Sequence, residues 1–119
     1  MKVKVENYSK GRSSEERARM YLEKKGLGWI ESNFLCHIGE IDLVMTDRDR
    51  LVFVEVKFKT DNKFGTPEEM ISGWKIAQIR RVAQIYLIER PEVNKNYSKY
   101  RIDAVCLLGE NTKHYKDIQ

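Results

Sequence analysis

A chain of 119 residues has length for one hydrophobic core and not two, so a single domain over residues 1–119 is expected, with its core at about 11–108. Hydrophobic residues make up 41% of it, but no apolar run nears the roughly 20 residues of a membrane helix, and Met1 to Glu6 lack the apolar segment of a secretion signal; both point to the cytoplasm. A formal charge of +4 and a pI near 9.1 lean mildly toward polyanions, too little by themselves to separate a nucleic-acid binder from an ordinary domain.

The first predicted element is a helix from about Ser14 to Lys25. Ser13 and Glu16 form an S-x-x-E capping box, and Gly26 and Gly28 mark its stop. Ala18, Tyr21 and Leu22 make its apolar stripe; the 3.6-residue period turns Glu15 toward that stripe and Glu16 away from it. Strands follow over Trp29–Cys36, Glu40–Thr46 and Leu51–Lys59, the last two joined by the tight polar turn Asp47-Arg48-Asp49-Arg50. Alternation puts Leu51, Phe53, Glu55 and Lys57 on one face of the third strand and Val52, Val54, Val56 and Phe58 on the other. Apolar residues on both faces call for helices on both sides of the sheet.

Thr66 is placed to cap a second helix, with Pro67 in its first turn and Glu68 and Glu69 set against its dipole. The pattern predicts one helix continuing to about Glu89, stopped by Pro91, with Ile76, Ile79, Val82, Ala83 and Tyr86 as its apolar face and Gly73 as a weak point. Tyr100 to Leu108 reads as a fourth strand, and residues 111–119 add a short edge strand or fray. The order α-β-β-β-α-β implies an α/β fold with a central mixed sheet flanked by helices on both faces. Cys36 and Cys106 lie in β-like runs and read as small core residues, not as a disulfide.

Four charges interrupt the apolar strands: Glu40 and Asp42 in Gly39-Glu40-Ile41-Asp42, and Glu55 and Lys57 in Glu55-Val56-Lys57. A charge in such a setting is costly unless it has a partner or a metal. With the turn centred at Arg48 and Asp49, Asp42 and Glu55 fall almost opposite one another. Two bare carboxylates that close repel until one takes a proton or a divalent cation neutralises both, and Mg²⁺ or Mn²⁺ suits an all-oxygen donor set. Lys57 shares the face of Glu55, where an ammonium can orient a water or stabilise a developing phosphorane charge. Asp, Glu-x-Lys and an inward Glu from the first helix resemble the constellation of the PD-(D/E)xK nuclease superfamily.

The resemblance extends along the chain. Gly11-x-x-x-Glu15-x-x-Ala18-x-x-Tyr21-Leu22, Gly39-Glu40-Ile41-Asp42-Leu43-Val44 and Val52-Phe53-Val54-Glu55-Val56-Lys57 resemble the YraN (UPF0102) family, and Gly65, Lys75, Tyr86-Leu87 and Arg101-Ile102-Asp103 fall where its pattern has similar residues. That family is similar to archaeal Holliday-junction resolvases, so the resemblance implies a restriction-endonuclease-like fold and a Mg²⁺- or Mn²⁺-dependent endodeoxyribonuclease acting on DNA, with branched or structured DNA foremost. It implies that Asp42 and Glu55 bind the metal with the Val56 backbone carbonyl, that Lys57 acts on the attacking water, and that Glu15 completes the acidic cluster. Glu40 would orient the site or hold a second ion, and Lys75 would hold a phosphate, with Lys59, Arg80 and Arg81 as further nucleic-acid contacts. Nucleases of this shape frequently pair, which makes a C2 homodimer an expectation. Ser14 in place of Gly and Phe58-Lys59 in place of Thr-Arg depart from the family pattern.

Plainer readings exist for each residue. Glu55 and Lys57 alone would be a cross-strand ion pair of little energetic worth; Glu15 would compensate the helix dipole; Lys75, Arg80 and Arg81 would be a solvated helix face. Asp103 reads as a strand-end or ion-pair residue. His37, His114 and the two cysteines match no zinc spacing, and Trp29, Trp74 and Tyr97 read as core or edge packing. The alternative to an enzyme is a non-catalytic nucleic-acid-binding module, or an interaction subunit of a DNA-processing complex, on the same fold.

Overall fold

The computed structural model describes residues 14–61 and 63–119. Ser13, the predicted cap of the first helix, and Gly11 lie outside the described residues. Helix α1 covers residues 14–24, followed by strands β1 (Gly28–Cys36), β2 (Gly39–Asp47) and β3 (Arg50–Lys59). Helices α2 (Pro67–Met70), α3 (Gly73–Glu89) and α4 (Pro91–Asn96) lead to strands β4 (Lys99–Leu108) and β5 (Asn111–Tyr115). The five strands form one mixed sheet in the order β1-β2-β3-β4-β5. Only the β3–β4 pair is parallel, and the three helices between those strands make its crossover.

This enlarges the predicted order α-β-β-β-α-β by α2, α4 and β5. The single helix expected up to Glu89 is broken at Ile71–Ser72 because two caps compete within it. Thr66 and Glu69 close a reciprocal capping box, Thr66 N–H donating to Glu69 Oε1 at 2.7 Å and Glu69 N–H to Thr66 Oγ1 at 3.3 Å. Six residues later the Ser72 Oγ accepts from the Lys75 N–H at 3.1 Å and starts α3 afresh.

On β3 the two faces are filled as the alternation predicts, whereas on β2 Ile41 packs with the α3 layer and Leu43, two residues on, with the α1 layer. On one face Ala18 and Leu22 of α1 pack with Leu43, Met45, Val52, Val54, Val105 and Leu107. On the other, Ile79, Val82, Ala83 and Tyr86 of α3 pack with Phe34, Val44, Leu51, Phe53 and Ile102. Tyr86 is at the centre of that second layer, meeting Phe34 and Phe53 edge-on at 5.0 and 5.5 Å between ring centroids. Arg90 at the end of α3 grips Glu31 of β1 through two hydrogen bonds, 3.0 and 3.1 Å, which fixes the far end of the helix to the sheet. Cys36 and Cys106 are free thiols. No helix among the described residues is long and apolar enough to cross a membrane.

Candidate functional site

The register of β2 against β3 runs from Asp47↔Arg50 to Leu43↔Val54 and stops there. The next residues along the two strands are Asp42 and Glu55, so the carboxylates lie at the point where the strands part. Parting frees backbone donors, and the Val56 N–H turns to Asp42 Oδ2 at 2.8 Å. The Asp42 and Glu55 side chains also share a hydrogen bond, Glu55 donating when protonated.

Glu15 reaches the same point on α1, the helix that packs on the face opposite α3. The carboxylate oxygens of Glu15, Glu40 and Asp42 all lie within 4.8 Å of one another. Asp42 is therefore the centre of the cluster, with Glu15 and Glu40 on one side and Glu55 on the other. Burial, and then the charges of Asp42 and Glu40, push the Glu15 carboxyl up to about 7. Burial followed by the Asp42 charge pushes Glu55 up to about 7 as well. Asp42 and Glu40 are raised chiefly by burial, and the Lys75 charge works against the rise in both.

Among the described residues, the cation paired with these acids is Lys75, whose Nζ stands 3.9 Å from Glu55 Oε2. It arrives there because Ser72 restarts the helix and because α3 lies unusually close to the start of β2. A Cβ on Gly39 would come within 3.1 Å of both Gln78 Nε2 and Val82 Cγ2, and Gln78 Nε2 donates to the Ile38 carbonyl at 2.7 Å. Glycine at the head of Gly39-Glu40-Ile41-Asp42 thus permits the approach that delivers Lys75.

Lys57 is exposed and pairs in register with Cys106 of β4, beyond the carboxylates along β3. Val56 meets Asp42 through its N–H. Lys59 is occupied by the Lys63 carbonyl at 3.3 Å and by Asp61 at 3.5 Å. Arg80 and Arg81 are exposed on α3. Tyr97 packs against the core, but Trp29 and Trp74 are 40% and 73% exposed, so the expectation of core or edge packing fails for Trp74, which stands on a helix and off the sheet edge. Trp29 is held at the surface by its indole N–H on Ser32 Oγ at 2.9 Å and by Arg19 3.9 Å above its ring.

A second group of charges went unassembled at the sequence level. Asp103 is fully buried and is held by Arg101 through bonds of 3.0 and 3.2 Å, by the Asp117 N–H at 2.9 Å and by His114 Nε2 at 2.7 Å. The remaining Arg101 amine binds Asp47 at 2.9 Å. Lys25 Nζ donates to His114 Nδ1 at 2.7 Å, which leaves the Nε2–H to donate to Asp103. Burial alone would raise the Asp103 carboxyl, but His114, Arg101 and the Asp117 N–H outweigh it and hold it below its usual value. Arg101-x-Asp103 at strand spacing, which puts both side chains on one face, was the available signal for this ion-paired network.

A five-stranded mixed sheet between helices, with a carboxylate cluster where two of its central strands part, defines a small α/β domain with a candidate cation site. The chain belongs to the family described as "Uncharacterised protein family UPF0102", whose model matches residues 14–107. It is similar to UPF0102 proteins of Pelotomaculum thermopropionicum (39% identical, covering 92% of this chain and 88% of that one) and Syntrophomonas wolfei subsp. wolfei (38%, covering 90% of each). A UPF0102 protein of Vibrio campbellii is 36% identical over 82% of this chain and 79% of its own length.

Proposed function

We propose that this domain is a divalent-metal-dependent nuclease of the PD-(D/E)xK kind on a restriction-endonuclease-like fold, hydrolysing phosphodiester bonds in DNA, with branched or structured DNA as the preferred form. The observation that carries the reading is the convergence of four carboxylates where β2 and β3 part, two of them held near neutrality by burial and mutual repulsion. Such a cluster is relieved either by protons or by a cation, and its donors are all hard oxygens, which fits Mg²⁺ or Mn²⁺. Asp42 and Glu55 would hold the ion, with Glu15 and Glu40 completing the set directly or through water.

The ion, when bound, supplies the Lewis acid that polarises the phosphoryl oxygen and makes water a usable nucleophile at neutral pH. The chain does the rest. Lys75, beside Glu55, holds the scissile phosphate against the carboxylates. Lys57, free in solvent beyond them, orients the attacking water and offsets the charge that gathers on the phosphoryl oxygens. Water would attack phosphorus in line with the departing oxygen, and as the P–O bond to that oxygen breaks the leaving alkoxide would take a proton from solvent water. Ionised Glu15 is placed at the cluster to take a proton from the water side.

Mn²⁺ titration by calorimetry, followed by a cleavage panel of single-stranded, duplex, flap and four-way-junction DNA, tests this reading. Saturable binding that Asp42→Ala abolishes, together with cleavage, supports it. If Mn²⁺ does not bind, or binds Asp42→Ala as well as the wild type, the hydrolytic reading fails and a non-catalytic binding module takes its place.

A further inference from the structure

The acid site leaves unexplained the most conspicuous residue beside it. Trp74, in the first turn of α3, is 73% exposed, and no hydrogen bond or ring contact holds it among the described residues, in contrast to Trp29 with its Ser32 and Arg19 partners. A single exposed apolar side chain is ordinary; what sets this one apart is a broad indole face beside the cation at the acid cluster. Its sequence neighbour is Lys75, the cation at Glu55. One helical turn after Trp74 comes Gln78, anchored to the Ile38 carbonyl, so the indole stands on the helix stripe that runs over the β1–β2 turn. Arg81 continues that stripe about 10 Å further along the axis, and no acidic residue lies in the first turn of α3 to repel a polyanion.

We propose that Trp74 is a stacking platform for an unpaired base of the nucleic-acid strand whose phosphate Lys75 holds, with Arg81 as the next phosphate contact. The proposal rests on the reading of the carboxylate cluster as a phosphodiester site and adds its substrate class: a strand with an unstacked base next to the phosphate under attack, as at a flap or junction. A flat indole accepts any base through its π-face, so the preference is for unpaired structure and not for sequence. Intact duplex keeps its bases stacked on each other and cannot use the platform.

The experiment uses the full chain in EDTA, where binding is read without turnover. A flap oligonucleotide carrying 2-aminopurine at the first unpaired position and a fully paired duplex of the same sequence are titrated by fluorescence and anisotropy. The wild type should quench 2-aminopurine and favour the flap. Trp74→Ala should lose the quenching and weaken flap binding by about 5- to 150-fold, the range of one base–aromatic stack, with duplex affinity changed less than about twofold. Trp74→Phe should restore most of both, and an unchanged thermal midpoint shows that the fold is intact. Equal flap and duplex binding by Trp74→Ala and wild type overturns the platform. So does a sedimentation profile in which Trp74→Ala turns a dimer into a monomer with quenching unaffected, since the indole would then pack against a second copy. Cleavage without Trp74-dependent quenching sinks the platform and spares the hydrolytic reading; quenching without cleavage does the reverse.

Discussion

Replacing Glu55 with glutamine keeps the shape of the side chain and removes its charge, and the metal-free protein should become more stable for it. The Glu55 carboxyl sits near 7 in the fold against 4.5 in the unfolded chain. A carboxyl raised on folding favours the native state fully below 4.5, and that advantage is lost as the pH climbs through 7. The distance from 4.5 to about 7 sets a ceiling of ~3.4 kcal/mol. Asp42 shares the proton and the side chain keeps 16% of its surface in water, so about half of that is the working figure, ~1–2 kcal/mol. For a domain of this size that is roughly 4–10 °C in melting temperature. Thermal melts in EDTA at pH 8 and pH 4 are the assay: Glu55→Gln should exceed the wild type at pH 8 and match it at pH 4. Adding Mn²⁺ at pH 8 should raise the wild type and leave Glu55→Gln where it was. A variant less stable than the wild type at pH 8, or equally stabilised at both pH values, would show that burial and Asp42 do not burden Glu55 as argued.

Lys57→Ala should abolish cleavage while DNA affinity by anisotropy stays within about threefold, because an exposed lysine beyond the carboxylates contributes one phosphate-scale charge to binding. Gly39→Ala should cost about 1–3 kcal/mol in urea unfolding, since its Cβ presses on Gln78 and the buried Val82; it should also slow cleavage by carrying Lys75 away from Glu55. Asp103→Asn should destabilise the protein by ~3 kcal/mol at pH 7 by leaving buried Arg101 without its main counter-charge. Asp103 is held below its usual value, so its contribution is present above about pH 4 and lost as the pH falls, and the variant should show a shallower acid-unfolding curve.

What could be read in advance followed from short-range periodicity. Alternation sorted β3 into an α3-facing set (Leu51, Phe53) and an α1-facing set (Val52, Val54), and the polar turn at Arg48–Asp49 set the register that carries Asp42 to Glu55. Helical phase likewise turned Glu15 inward. Phase says nothing of how far a helix slides along a sheet, so it could not tell that the Glu15 carboxylate would come within 4.8 Å of those of Glu40 and Asp42. The prominence of Lys75 was hidden for a related reason, as it depends on the Ser72 cap and on the close approach over Gly39. Residues 66–89 read as one helix because their apolar pattern is continuous. The break depends on two side-chain caps outcompeting that pattern.

Helix α1 works as a strut with a fixed end. Beyond its C-terminus Lys25 is bonded to His114, which closes on the buried Asp103, while Glu15, about 15 Å back along the axis, is the tip that enters the acid cluster. The reach of that tip is set by Ala18 and Leu22 in the core together with the Lys25 anchor, and not by the acids themselves, which repel it. Strand β5 carries His114 on the sheet edge, away from the acid cluster, yet it sets where a carboxylate of the opposite end comes to rest. Trimming this edge strand removes the Lys25–His114 bond and leaves Glu15 held at the acid cluster by the core packing of Ala18 and Leu22 alone.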